Sequence, residues 1–315
     1  MESDSGGESS SADPRPRRPS PAPGASSFRV AVTRPLPYGA PQLYLDRLSR
    51  RLADRGLTPA QHPLLRIVLP QDPTPLHEAA AWLADRLARN LHFQHPAGEP
   101  DGGGHAASPG PVWLVVTSAN AVPPFVEALE AAGVAARDLR QAGVRVAAVG
   151  RATARVLRDA GLPPAVVPDR FTAQALVEAM EAEAGPDMSG HRVIFPRADR
   201  AGETLPRGLE ERGARVIRAT AYRVVDDWQG GRRLARALAR GELEAVTLTS
   251  GSAARALARS WTAESGGAPW PEAVMVAVIG PVTAGDARDA ELPVHVMPER
   301  ASLAALADAV ADALG

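Results

Sequence analysis

The chain has 315 residues, 45% of them hydrophobic, with a formal net charge of −1 and no cysteine. That length favours two domains, each with its own core. The lack of cysteine excludes disulfides, thiolate nucleophiles and Cys-ligated zinc, and acidic and basic residues that interleave rather than form a stripe speak against a nucleic-acid partner.

The first 27 residues are rich in Ser, Pro, Gly and Arg and have no apolar periodicity. Such a segment buries too little surface to offset its ordering entropy, so residues 1–27 are expected to form a disordered tail. It lacks the apolar centre of a signal peptide, and no later stretch has the length of a membrane span, which makes the cytoplasm the expected location. Phe28–Pro35 (FRVAVTRP) reads as a buried strand ending in Arg34, with a helix over Pro41–Arg55, then Gly56 and another apolar strand. A Pro/Gly/His-rich stretch at Gln94–Pro111 reads as a flexible surface insertion. His92, His95 and His105 fall in or near it without the spacing of metal ligands, so no metal is expected.

Trp113–Val122 (WLVVTSANAV) is a strand ending in Thr-Ser, followed by a helix over Pro123–Ala132. The next strand, Val144–Val149, gives way to Gly150, a helix with Thr153 in its first turn, a Leu-Pro break, a second apolar run and another helix. Arg192–Arg197 (RVIFPR) is again a strand with Arg at its end, leading to a helix over Glu203–Arg212 and to Gly213. Ala245–Ala254 (AVTLTSGSAA) repeats the Thr-Ser strand end at Ser250. Val276–Val310 then repeats Val146–Met180 without a gap at an offset of 130, with sixteen of 35 pairs identical, among them Gly150/Gly280, Thr153/Thr283, Pro163/Pro293 and Pro168/Pro298.

Strands that are apolar on both faces and alternate with helices belong to a parallel sheet covered on either side. The expected fold class is α/β, with two flavodoxin-like parallel-sheet domains related by the internal repeat. One Arg-bearing unit precedes both Thr-Ser units and the other lies between them, so one domain must be discontinuous. The expected division is an outer domain of residues 28–67 plus 226–315 and an inner domain of residues 68–225. The chain then crosses twice, through Pro63–Pro70 and Ala219–Asp227, and the two crossings form a two-stranded β-ladder hinge. Arg34, Ser250 and Thr283 would line the carboxyl edge of the outer sheet, and Arg197, Ser118 and Thr153 that of the inner one, where open α/β sheets bind ligands. Gly150 and Gly280 open helices whose first N–H groups are unpaired and seat anions. Such edges, facing each other, suit a large polyanion better than a nucleotide, for which no glycine-rich fingerprint is present. The hydroxyls serve equally well as ordinary helix caps, and the arginines as solvated surface charge.

The segments VTRP (Val32–Pro35), TSANAV (Thr117–Val122), VGRATA (Val149–Ala154), FPRADR (Phe195–Arg200), AYRVV (Ala221–Val225), TSGSA (Thr249–Ala253) and IGPVTA (Ile279–Ala284), in this order and spacing, resemble the uroporphyrinogen-III synthase family. The resemblance spans Arg29–Ala313 and departs from the family in the tail, in the Gln94–Pro111 insertion, and at Gly251, where a Pro is common. It implies a cyclising hydro-lyase of tetrapyrrole (heme, siroheme and cobalamin) biosynthesis that closes hydroxymethylbilane with inversion of ring D and loss of water, without a cofactor. It further implies Tyr222 of AYRVV as proton donor, with Arg34, Ser118, Asn120, Gly150, Thr153, Arg197, Ser250, Gly280 and Thr283 binding the substrate. A phenol stays protonated at neutral pH and can hand a proton to a departing hydroxyl; the plainer reading of Tyr222 is a strand Tyr packed at a sheet edge. Tyr38 and Tyr44 lie in or near the first helix, with Tyr44 read as helix packing. The expected partner is a linear tetrapyrrole polycarboxylate, with no nucleic acid and no membrane. The chain is expected to be a monomer that meets the enzyme making hydroxymethylbilane only transiently. The competing reading is a non-catalytic tetrapyrrole-binding or regulatory module of the same fold. Deleting residues 1–24 is expected to leave the melting temperature and turnover at their full-length values, and a melting point lowered by several degrees would show that the tail packs.

Overall fold

The computed structural model describes residues 28–39, 46–93 and 110–315. The tail, Tyr44, the start of the Pro41–Arg55 helix and most of the insertion lie outside the described residues. In chain order the first elements are β1 (Arg29–Val32), α1 (Arg47–Asp54), β2 (Thr58–Gln61), β3 (Leu65–Val68), α2 (Thr74–Phe93) and β4 (Val112–Val116). A 3₁₀ turn at Ala119–Ala121 leads to α3 (Val122–Ala131), α4 (Ala136–Gln141), β5 (Arg145–Ala148), α5 (Arg151–Asp159) and α6 (Ala173–Ala184). Then follow β6 (Arg192–Ala198), α7 (Thr204–Glu210), β7 (Arg215–Asp226), α8 (Trp228–Ala239), β8 (Ala245–Leu248), α9 (Gly251–Ser265), β9 (Met275–Val278), α10 (Pro281–Asp289) and α11 (Leu303–Leu314).

These elements form two compact units, one built on residues 28–33, 46–62 and 231–315, the other on residues 34–39, 63–93 and 110–230. The sheet of the first unit has the order β2-β1-β8-β9, with every pair parallel. Val30 and Val32 of β1, Ala245 of β8 and Ala277 of β9 pack there against Leu48 and Leu52 of α1 and Leu306 and Val310 of α11. β1 and β8 are tied a second time by their side chains: Thr33 Oγ1 donates to the Thr247 carbonyl at 2.7 Å, and Thr247 Oγ1 to the Ala31 carbonyl at 2.9 Å. The strand after Gly56 is less apolar than expected. β2 (TPAQ) is a half-buried edge strand in which Pro59 sits where a central strand would lack a ladder donor. Gly56 and Gly213 each end a helix at positive φ (79° and 89°), a turn that a residue with a Cβ resists.

The sheet of the second unit has the order β3-β7-β6-β4-β5, parallel except for β3, which runs antiparallel to the end of β7 with Leu65 opposite Asp226 and Val68 opposite Arg223. The two crossing segments pair with each other as expected, but the ladder ties Leu65–Ile67 to the second sheet, where the expected division places residues 28–67 in the outer domain. β4 is buried along its whole length and shows the period of two that a doubly covered strand requires. Val112, Leu114 and Val116 join the layer made by α2, α3 and α5, while Trp113 and Val115 join Leu176, Val177 and Leu205 from α6 and α7.

The repeat recurs as identical hydrogen bonding within each unit. Ala148 N donates to the Val166 carbonyl at 2.9 Å, as Val278 N does to that of Val296, and Ala165 N to Val146 (2.8 Å) corresponds to His295 N to Val276 (2.9 Å). The bridges Ala147–Val166 and Ala277–Val296 extend β5 and β9 at the same point. α6 and α11 are capped alike, by Thr172 on Ala175 N and by Ser302 on Ala305 N, each at 3.1 Å.

Trp113 is fully buried, donates from Nε1 to His191 Nδ1 at 3.3 Å, and carries the Arg145 guanidinium 4.4 Å above its ring. Trp113→Ala should therefore lower the unfolding free energy by about 3–5 kcal/mol; a denaturant titration showing a loss under about 1 kcal/mol would mean that this layer repacks freely.

Candidate active site

Helices cover both faces of the second sheet, so chemically active side chains emerge where its strands end. Ser118 follows β4 in an extended conformation and caps the 3₁₀ turn, its Oγ accepting from Asn120 N at 3.3 Å. Tyr222 lies on β7 beside Ala198 of β6, just past the register shift at Arg197/Ala198, and its backbone carbonyl accepts from Asp199 N at 3.1 Å. Its ring is buried, and Oη donates to Ser118 Oγ at 3.0 Å. The sequence thus held two separate candidates, 104 residues apart, that the fold joins in one hydrogen bond. Ser118 Oγ already accepts from Tyr222 Oη and from Asn120 N, which leaves its own proton to be donated outward.

Gly150 caps α5 with φ −166°, an extended conformation open to any residue, so its need for glycine is spatial. A Cβ there would stand 3.3 Å from Phe171 Cγ. At the matching position Gly280 caps α10, and a Cβ would stand 3.1 Å from Ala301 Cβ. Thr153 and Thr283 sit in the first turns of these helices, each 5% exposed. Ser250 caps α9, accepting from Ala253 N at 3.2 Å. The departure at Gly251 has a steric counterpart: a Cβ there would fall on Asp286 Oδ2, far inside van der Waals contact, and the same carboxylate pairs with Arg255. The space that a Pro side chain would fill holds an acidic group.

Of the two arginines, Arg197 stands on β6 of the second unit as expected, and Arg34 departs from its expected place on the first. Arg197 is 8% exposed and is occupied by its own loop, Nη1 donating to Glu203 Oε1 at 2.6 Å and Nη2 to the Ala201 carbonyl, with Cζ 5.5 Å from the Phe195 ring. Glu203 also accepts from Arg218 Nε at 3.1 Å, and Arg218 forks onto Glu210 at 2.6 and 2.8 Å. Arg34 lies half-buried just past β1 and groups with the second unit, not the first. Sequence reasoning missed Glu203, although FPRADRAGE places an acid six residues after Arg197, within reach across the turn into α7. Tyr38 lies in the loop after β1; burial, then the nearby Glu127 carboxylate, push its phenol up. No group of three or more His, Asp or Glu among the described residues has the arrangement of a metal site, and no described helix is long and apolar enough to cross a membrane.

This is a parallel α/β protein with a Tyr–Ser hydroxyl pair and capped helix starts at its strand ends. The family model described as uroporphyrinogen-III synthase HemD matches residues 105–308, and the chain belongs to that family. A protein of Methanothermobacter thermautotrophicus is 40% identical over 107 residues, which is 33% of this chain and 41% of that relative, so the alignment takes in less than half its length. The uroporphyrinogen-III synthase of Chlorobaculum parvum is 26% identical over 203 residues, 64% of this chain and 79% of that protein. Among solved structures, a mutant uroporphyrinogen III synthase from Thermus thermophilus aligns with a TM-score of 0.50 at 24% identity, covering 91% of this chain and 99% of that one. The Helicobacter pylori enzyme aligns with a TM-score of 0.50 at 16% identity, covering 92% of this chain and all of its own. At these identities the likeness to the solved structures is one of fold.

Hydrogen bonds from Arg197, and then from Arg218, hold the Glu203 carboxyl below the usual carboxylate range. A depressed folded-state pKa contributes stability above the unfolded value that is lost as pH falls through the folded one. Glu203→Gln should therefore lower the urea midpoint at pH 7, with the gap to wild type closing below about pH 4; a gap independent of pH would show that the network is not electrostatic.

Proposed function

We propose that the chain converts hydroxymethylbilane to uroporphyrinogen III, acting as a cyclising lyase. The observation that carries this reading is the 3.0 Å hydrogen bond from buried Tyr222 to Ser118 at the strand ends, within the family-matched residues. In the reaction the hydroxymethyl C–O bond breaks as the pyrrole nitrogen lone pair pushes in, and the departing hydroxide takes a proton and leaves as water. The azafulvene so formed is attacked by a ring-D carbon to give a spiro intermediate, which fragments and recloses with ring D inverted; loss of a ring proton then restores the pyrrole. Tyr222 is the proton source, acting through the Ser118 hydroxyl, and general-acid help of this kind is worth roughly 10²–10⁴-fold.

Substrate carboxylates are bound in the second unit at the helix start of Gly150/Thr153, with Ser118, Asn120 and Arg34, and in the first unit at that of Gly280/Thr283, with Ser250, because unpaired N–H groups and the helix dipole favour anions there. Arg197, engaged by Glu203, contributes by bracing the loop after β6 as well as by its charge. The finer reading of the fold is that each sheet is one flavodoxin-like domain, supported by the hydrogen bonds repeated at offset 130, and that the antiparallel β3–β7 ladder serves as a hinge. Small-angle scattering with and without product tests the hinge: an unchanged radius of gyration speaks against it. The protein works as a monomer in the cytoplasm, in passing contact with the enzyme that supplies its unstable substrate.

The test of the activity is a coupled assay with hydroxymethylbilane, in which isomer III must appear in place of isomer I. Tyr222→Phe should keep the fold and the Michaelis constant while turnover falls roughly 10- to 1000-fold. Turnover at the wild-type rate in that variant would remove Tyr222 from the chemistry.

A further inference from the structure

The repeat is broken at one turn, and the break has a chemical direction. Phe171 is 55% exposed, an uncommon position for a large aromatic, and its inner side rests on the bare Cα of Gly150. The backbone beneath it is fixed, since Thr172 N donates to the Arg170 carbonyl at 2.9 Å and Thr172 Oγ1 caps α6. The matching residue, Ala301, covers Gly280 with a methyl group alone. Closing over the glycine therefore needs no ring, and the outer surface of Phe171 exceeds what the fold requires.

The charges break the symmetry in the same place. Arg151 and Arg155, one turn apart on α5, are exposed, and neither makes a hydrogen bond or ion pair among the described residues; their counterparts are Pro281 and Gly285. Arg151, at the first position of α5, opposes the helix dipole and so costs helix stability, and with Arg155 a turn later it raises the positive potential near the unpaired first N–H groups. Between them lies Thr153, 5% exposed, whose hydroxyl also has no hydrogen-bond partner among the described residues. A flat apolar ring, two cations and an unused hydroxyl at one turn match a planar ring that bears carboxylates.

We propose that Phe171, Arg151 and Arg155 form a recognition face for one pyrrole ring of the substrate, the ring stacking on the open side of Phe171 and its carboxylates pairing with the two arginines. This rests on the synthase reading above and adds a residue that discriminates among substrates. A ring on an aromatic platform is held in plane yet free to slide, which suits a reaction that redirects one ring of a flexible chain.

The experiment measures turnover and Michaelis constant with hydroxymethylbilane, and calorimetric binding of uroporphyrinogen III, for wild type, Phe171→Ala, Phe171→Tyr and Arg151→Gln. The alanine that the repeat already carries at position 301 makes Phe171→Ala compatible with the fold, and its melting temperature confirms this. Phe171→Ala should raise the Michaelis constant roughly 5- to 100-fold, with turnover within about threefold of wild type, in line with aromatic stacking on planar rings. Phe171→Tyr should restore binding, and Arg151→Gln should weaken it in a salt-dependent way. With an active wild type, a Michaelis constant within about twofold of normal in Phe171→Ala, or a rise that Tyr does not reverse, overturns the subsite alone, and wild-type binding in Arg151→Gln overturns its carboxylate half. Wild-type protein that neither turns over hydroxymethylbilane nor binds the product overturns the synthase reading and the subsite with it.

Discussion

A parallel strand covered by helices on both faces has no room along its length for a reactive side chain. β4 is the plainest instance, five consecutive residues divided between two apolar layers with none left over. Everything polar that the second unit can use must therefore appear after a strand has ended and before the next helix has closed. Ser118, Asn120, Gly150 and Thr153 all obey this. The constraint also explains why each of these residues doubles as a cap or a first-turn residue: the same unpaired N–H groups that must be satisfied in the free protein are the ones that can face an anion.

Tyr222 escapes the constraint through a change of partner. β7 pairs in parallel with β6 over its first part and antiparallel with β3 over its last, and the register shift at Arg197/Ala198 falls beside Tyr222. A strand that leaves one ladder for another need not keep its side chains in strict alternation between two covered faces. The phenol can thus lie in the α2–α3–α5 layer and still reach the hydroxyl at the end of β4.

Much of this was legible in the sequence because local rules and the repeat agreed. The Gly-x-x-Thr turns, the Thr-Ser strand ends and the glycines that close α1 and α7 follow from short-range chemistry, and finding each pattern twice removed most of the ambiguity. What was not legible depended on pairing between distant segments. That the two crossing segments pair with each other, as β3 and β7 do, was readable, but nothing in LLRIV states that the ladder will join Leu65–Ile67 to the second sheet. The fate of Arg197 was hidden for a related reason: an arginine at a strand end can face solvent, a ligand or a nearby acid, and the choice is made by the turn geometry that brings Glu203 within 2.6 Å. β2 read as apolar because its neighbours are, yet TPAQ at a sheet edge needs no buried face.

Gly251 and Asp286 bear on how this chain can be engineered. Substituting common family residues is a frequent route to thermostability, and a proline at the first position of α9 is favourable in isolation because it presets φ and gives up a donor that has no intrahelical partner. Here the carboxylate of Asp286 occupies the place where the new Cβ would go, and is held there by Arg255. The two positions are therefore coupled: a residue with a Cβ at 251 requires the Asp286 side chain to move and to loosen its pairing with Arg255.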